Sequence, residues 1–174
     1  MTSLLDMNGF PMPQLHPRSS VAIATAVGLG SISALHVLWG RGLTFPFQRR
    51  QDLNDHVIGR QVSPSPAACN AVACLLAIAA VSVERAARGS SSVARISAAG
   101  CGVVLATRSG LGFSGRTHLV VPGSTSAAFR RNDRRIFAPV CAVLALGAAC
   151  AATDGVVAVG RRVAIPRTPT SPKG

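Results

Sequence analysis

Residues 19–40 read SSVAIATAVGLGSISALHVLWG. These 22 residues contain no Asp, Glu, Lys or Arg, and Arg18 and Arg41 bracket them. A helix of that length is about 33 Å long, enough to cross the hydrocarbon core of a bilayer, roughly 30 Å thick. Two further charge-free runs match it: Gln61–Val83 with 23 residues and Ile136–Thr153 with 18. A fourth apolar block, Ile96–Thr107, has only 12 residues between Arg95 and Arg108. Extended from Gly89 to Phe113 it reaches spanning length, with both arginines snorkelling toward headgroups. The expected fold is therefore all-α, a four-helix transmembrane bundle with two long loops on one side. The membrane domain is expected over residues 19–160, with helices at about 19–40, 66–84, 91–110 and 138–159. Residues 1–18 carry Pro11, Pro13 and Pro17 and read as an irregular segment. Residues 161–174 end in IPRTPTSPKG and read as a disordered tail. The first block is read as a retained helix, because it is long for a signal peptide and no A-x-A-like site follows it.

Composition agrees. Of the 174 residues, 48% are hydrophobic and only 14% charged, where soluble domains carry about 25% charged residues. That apolar content excludes a disordered basic tail. Five cysteines in this length exclude a disulfide-dense module. Inside the blocks Ala, Gly, Ser and Val dominate, as in membrane helices that pack closely. Gly28 and Gly30 on the first helix, and Gly100–Gly102 on the third, are the expected contact points.

The net charge of +12 comes from 18 Lys and Arg against 6 Asp and Glu. Four spans divide these basic residues into 8 on the side of the tails and 10 in the two long loops. The short connection Glu84–Arg95 is dense in arginine, and short loops weigh most in the positive-inside rule. This places a multi-pass protein in the cell membrane with cytoplasmic tails. The charge then marks membrane flanks. No nucleic-acid-binding motif surrounds it, and the expected partner is the lipid bilayer.

Four local strings are more specific than the helices. They are His36-Val-Leu-Trp39-Gly40; Pro64-Ser-Pro-Ala-Ala-Cys69; Arg108-Ser-Gly110-Leu-Gly112; and Phe129-Arg-Arg-Asn-Asp133-Arg-Arg-Ile-Phe137-Ala-Pro139-Val-Cys141. In this order and spacing the chain resembles a family of small bacterial four-helix membrane proteins catalogued as a domain of unknown function. The match runs from about Val21 to Ala152. The family pattern has Tyr where Phe137 stands, Ser at Ala138, Leu at Val140 and Gly at Ser109. The missing phenol puts in doubt any mechanism that needs it. The resemblance implies an integral membrane protein and no activity.

The topology gathers these strings at one membrane surface. His36 and Trp39 leave helix one there, Cys69 enters helix two, Arg108 leaves helix three, and Cys141 enters helix four. With Asp133 they form the candidate site, which the loops Arg41–Pro66 and Ser109–Ala138 would cover. Arg95 and Arg108 are 13 residues apart, as are Cys141 and Asp154. Antiparallel helices can then bring Arg108 level with Cys141 and Arg95 level with Asp154. Asp154 pairs with Arg95 or reaches the headgroup zone.

Each candidate has a bland reading beside the functional one. Cys69 and Cys141 are packing residues, a disulfide staple, or a reactive thiol pair. His36 and Trp39 share a helix face and bind a ligand, or form an interfacial anchor with a hydrogen-bonded imidazole. The segment Phe129–Phe137 is an interfacial basic helix or a solvated loop. In the first case Arg130, Arg131, Arg134 and Arg135 meet anionic lipid, and Asp133 pairs with its arginine neighbours. P-loop, H-E-x-x-H and G-x-S-x-G patterns are absent. No catalytic residue, metal or cofactor is called for. Three functions stay open: a non-enzymatic membrane protein binding lipid or a partner, a thiol or quinone redox enzyme at the long-loop face, and a small transporter subunit.

Overall fold

The computed structural model describes the backbone of residues 17–89, 91–124 and 126–163, and side chains over 20–89, 91–124 and 126–153. The 1–16 segment and the tail beyond residue 163 lie outside these. Helix α1 is Pro17–Gly40. A short helix α2, Arg50–Leu53, runs into a π-helical turn Asn54–Ile58. Helix α3 is Pro66–Ala87 and α4 is Ser92–Phe113. After a 3₁₀ turn at Thr117–Leu119 comes α5, Ala127–Asn132, whose π-helical continuation Asp133–Phe137 leads without a break into α6, Ala138–Val163. The described residues contain no strand.

Local chemistry sets the starts. Ser65 caps α3, its hydroxyl accepting from the Ala68 amide at 3.2 Å, with Pro66 at the first helical position where no amide hydrogen is needed. Ser91 caps α4 in the same way. Helix α4 takes in both Arg95 and Arg108 and is 22 residues long, so the fourth apolar block does reach spanning length.

The four long helices form an antiparallel bundle in the order α1, α3, α4, α6. Helices α1 and α3 make one intimate pair, α4 and α6 the other. The core is built of small residues, with Ala22, Ala86, Ala94, Ala98, Ala148 and Ala151 around Leu29, Val83 and Leu144. The larger aliphatics point outward: Val93 is 72% exposed and Ile96 73%, and Leu75, Ile78, Val103, Val143 and Leu146 are also exposed. A monomer in water would not bare so broad an apolar belt. All four helices are long and apolar enough to cross a membrane. The protein is an all-α, multi-pass membrane protein.

Close approach is concentrated at a few glycines. A β-carbon on Gly102 would lie 3.3 Å from the Ala145 carbonyl, and one on Gly28 would lie 3.0 Å from Leu144. One on Gly147 would collide with Thr25. Gly100 and Gly30, expected as contacts beside Gly102 and Gly28, have nothing within 4 Å. Helix rotation turns them to the lipid side. The α4–α6 register is read from the Ser109 hydroxyl, which donates to the Ala138 carbonyl at 2.8 Å, and from Gly102 opposite Ala145. It lies within two residues of the Arg108–Cys141 alignment expected from spacing.

Candidate functional site

At the end of the bundle where α1 and α4 stop, the two long connections fold into a roof. Asn54, buried, donates to the Gln61 carbonyl at 2.9 Å and accepts from Ser63, which closes the first connection on itself. The second connection is tied to the first. The Ser126 hydroxyl donates to the Asp55 carbonyl at 2.9 Å, the Ser126 amide to the Gly59 carbonyl at 3.1 Å, and Asn132 Nδ2 to the His56 carbonyl at 3.2 Å. Gly59 has φ of +78° and lies against Phe129, where a β-carbon would come within 2.7 Å of the ring. Only glycine suits that position on both counts.

Beneath the roof is a cavity of about 240 Å³. Trp39, His36, Cys69 and Arg108 line it from α1, α3 and α4, and Leu53, Phe129 and Arg50 close it from above and the side. The lining is mostly apolar and includes no acidic residue. Trp39 Nε1 donates to the Phe45 carbonyl at 2.8 Å, and its ring lies 5.0 Å from that of His36. His36 Nδ1 lies 2.9 Å from the Ile32 carbonyl. A carbonyl only accepts, so Nδ1 is the donor in this contact.

Arg108 is held from behind. Its Nη2 donates to Asp133 Oδ1 at 2.6 Å, and the Thr117 hydroxyl donates to Asp133 Oδ2. Asp133 is 2% exposed and the Arg108 side chain 25%. Arg108 Nη1 is buried and has no hydrogen-bond partner among the described residues. Gly112, one turn beyond Arg108, makes room for this pair. A β-carbon there would lie 2.7 Å from that of Ala138, 3.1 Å from Arg108 Nη1 and 3.3 Å from Asp133 Oδ1.

Of the six candidate residues, four line one cavity: His36, Trp39, Cys69 and Arg108. Asp133 stands behind Arg108, outside the cavity, and Cys141 is not part of the lining. The local pairing expected for Asp133 with adjacent arginines is not made. The helical backbone of α5 and its π-turn sends Arg130, Arg131, Arg134 and Arg135 outward while Asp133 faces α4. The solvated-loop alternative for Phe129–Phe137 gives way to this helix. All five cysteines are free thiols, so Cys69 and Cys141 form no staple. Arg95 donates to the Ser92 hydroxyl at 3.0 Å. The Asp154 side chain lies outside the described residues, and with it the Arg95–Asp154 pair. No group of three or more His, Cys, Asp or Glu able to hold a metal occurs among the described residues. The sequence reading missed the roof residues Asn54, Ser126 and Phe129 and the role of Gly112. The Arg-x-x-x-Gly spacing placed Gly112 one turn from Arg108 and was the signal available for it.

Residues 29–150 match a family described as "Protein of unknown function (DUF3995)". No curated protein and no solved structure matches the chain.

Proposed function

We propose that this chain, which belongs to the DUF3995 family, is a non-enzymatic membrane protein that holds an amphipathic, anionic ligand under the roof of its loop face. One observation carries the reading. Arg108 lines the apolar cavity, Asp133 takes its Nη2, and its Nη1 is buried beside Gly112 with no partner among the described residues. A buried donor without a partner costs about 1–3 kcal/mol. A ligand carboxylate or phosphate that draws the guanidinium toward the cavity recovers that cost with a charge-assisted bond. Asp133 neutralises much of the Arg108 charge, and Arg50 on the rim supplies a second cation. The cavity is smaller than the roughly 300–1,000 Å³ of drug-sized sites, so it suits a headgroup and a short length of chain.

Trp39 is the one tryptophan in the chain and lines the cavity, which makes it a built-in reporter. The test titrates purified protein with a doxyl-labelled fatty acid and with its methyl ester, reading Trp39 quenching. The acid should saturate at a concentration roughly tenfold or more below the ester, the value of one charged hydrogen bond. Arg108→Gln should erase that difference, and Ala68→Phe, which fills the cavity, should weaken both. Equal affinity of acid and ester, or no effect of either substitution, refutes the proposal. The alternative is thiol or quinone redox chemistry, favoured by Cys69 lining the same cavity beside His36. A quinone spectrum in the purified protein that bleaches on reduction would select it.

A further inference from the structure

We propose a second site, on the bilayer side of the α4–α6 pair, for one anionic phospholipid. Its phosphate sits in an arginine cleft, and an acyl chain lies in the groove between the two helices. This inference does not rest on the roofed cavity and shares none of its lining residues.

The cleft measures about 360 Å³ and is formed by Gly115, Arg130, Arg131, Arg134 and Arg135. The four arginines recur at spacings of one and four on a continuous helix, which gathers them on one side. No acid lines the cleft. Asp133, in the middle of the run, is turned away and taken by Arg108. Arg134 Nε donates to the Phe113 carbonyl at 3.1 Å, which draws that side chain across the last turn of α4. Arg130, Arg131 and Arg135 have no side-chain partner among the described residues. Four like charges held together without a counter-charge call for an anion with several acceptor oxygens, and a phosphate supplies them.

The groove below has a volume of about 690 Å³. Gly102, Ala106, Gly110 and Phe113 of α4, with Ala142 and Leu146 of α6, form its walls. The small residues leave a trough in the lipid-facing surface. Gly110 marks it most clearly, since a β-carbon there would touch nothing within 4 Å. Phe113 joins the two features: it lines the groove and its carbonyl holds Arg134. Phe113, Ile136 and Val140 are all exposed beside the cleft, which sets the arginines at headgroup depth and the groove in hydrocarbon. A free phosphate has no use for the groove, and an uncharged lipid has none for the arginines. A phospholipid with an anionic headgroup uses both.

The test uses the full chain in phosphatidylcholine nanodiscs with chain-spin-labelled phosphatidylglycerol or phosphatidylcholine as probes. The immobilised fraction is read by electron paramagnetic resonance. The protein should immobilise phosphatidylglycerol in preference. Arg131→Gln and Arg135→Gln should each reduce that preference about fivefold. A β-carbon at Gly110 meets nothing within 4 Å, so Gly110→Leu should fold and still lower the immobilised phosphatidylglycerol. Equal immobilisation of the two lipids means ordinary boundary lipid and overturns the proposal. So does an unchanged preference in the arginine variants. Insensitivity to Gly110→Leu overturns the groove, and displacement by inorganic phosphate as effective as by unlabelled phosphatidylglycerol means that the site reads phosphate alone.

Discussion

Replacing Asp133 with Asn tests the ion pair on which the loop face is organised. Asp133 is almost fully buried, accepts from Arg108 at 2.6 Å and from Thr117, and spans the α4–α6 junction. The Asn side chain keeps one acceptor oxygen and turns the other position into a donor. The Thr117 hydroxyl can rotate to accept from it, so packing and hydrogen-bond number are largely kept and the loss is the charge. Stripping one partner from a buried pair costs about 3–5 kcal/mol when both ions are dry. The Arg108 side chain is 25% exposed and keeps some solvation, which brings the expected cost to about 2–3 kcal/mol. The assay is reversible unfolding in mixed detergent micelles, run as a double-mutant cycle with Arg108→Met. The single variants should each destabilise the protein. The double variant should fall short of their sum by at least about 1 kcal/mol, because each single change already forfeits the shared pair. Additivity within about 0.5 kcal/mol would refute the reasoning and reduce the contact to an incidental one.

Two further outcomes follow from the packing. Gly112→Ala should destabilise by about 1–3 kcal/mol in the same assay, since its β-carbon would lie 2.7 Å from that of Ala138, while Gly110→Ala in open space should be neutral or stabilise slightly. Equal effects at the two glycines would contradict the helix rotation. In intact membranes a water-soluble maleimide should leave Cys74 and Cys150 unmodified although both are exposed, because the surface they occupy faces lipid. Mass spectrometry should show all five cysteines alkylated after denaturation in detergent, and modification of Cys74 before it would place that face in water.

Most of the architecture was legible because a bilayer demands long charge-free runs, and the runs Ser19–Gly40, Gln61–Val83 and Ile136–Thr153 stand out without any alignment. Alternation of the spans then put His36, Trp39, Cys69 and Arg108 at one surface, and the cavity gathers those four. What stayed illegible depends on rotation and on long-range choice. Gly100 and Gly102 are equivalent as letters, yet only Gly102 faces α6. Asp133 sits among four arginines within three residues, so proximity favoured them. The partner it takes is 25 residues away, on another helix. The roof was invisible for a related reason. Its ties run from Ser126 and Asn132 to backbone carbonyls of Asp55 and His56, and carbonyls have no signature in a sequence.

The central claim is that both long connections fold over a single membrane face. Sidedness tests it most directly. In a cysteine-free background, single cysteines at Gln48 and Pro122, both exposed in the roof connections, and at Ser92, exposed at the start of α4 on the opposite end of the bundle, are probed in sealed vesicles of one orientation. The reagent is a membrane-impermeant maleimide. The account predicts that positions 48 and 122 react together and that position 92 behaves oppositely, with all three reacting once the vesicles are opened. Labelling of 48 and 122 from opposite sides, or of 92 together with them, would contradict it.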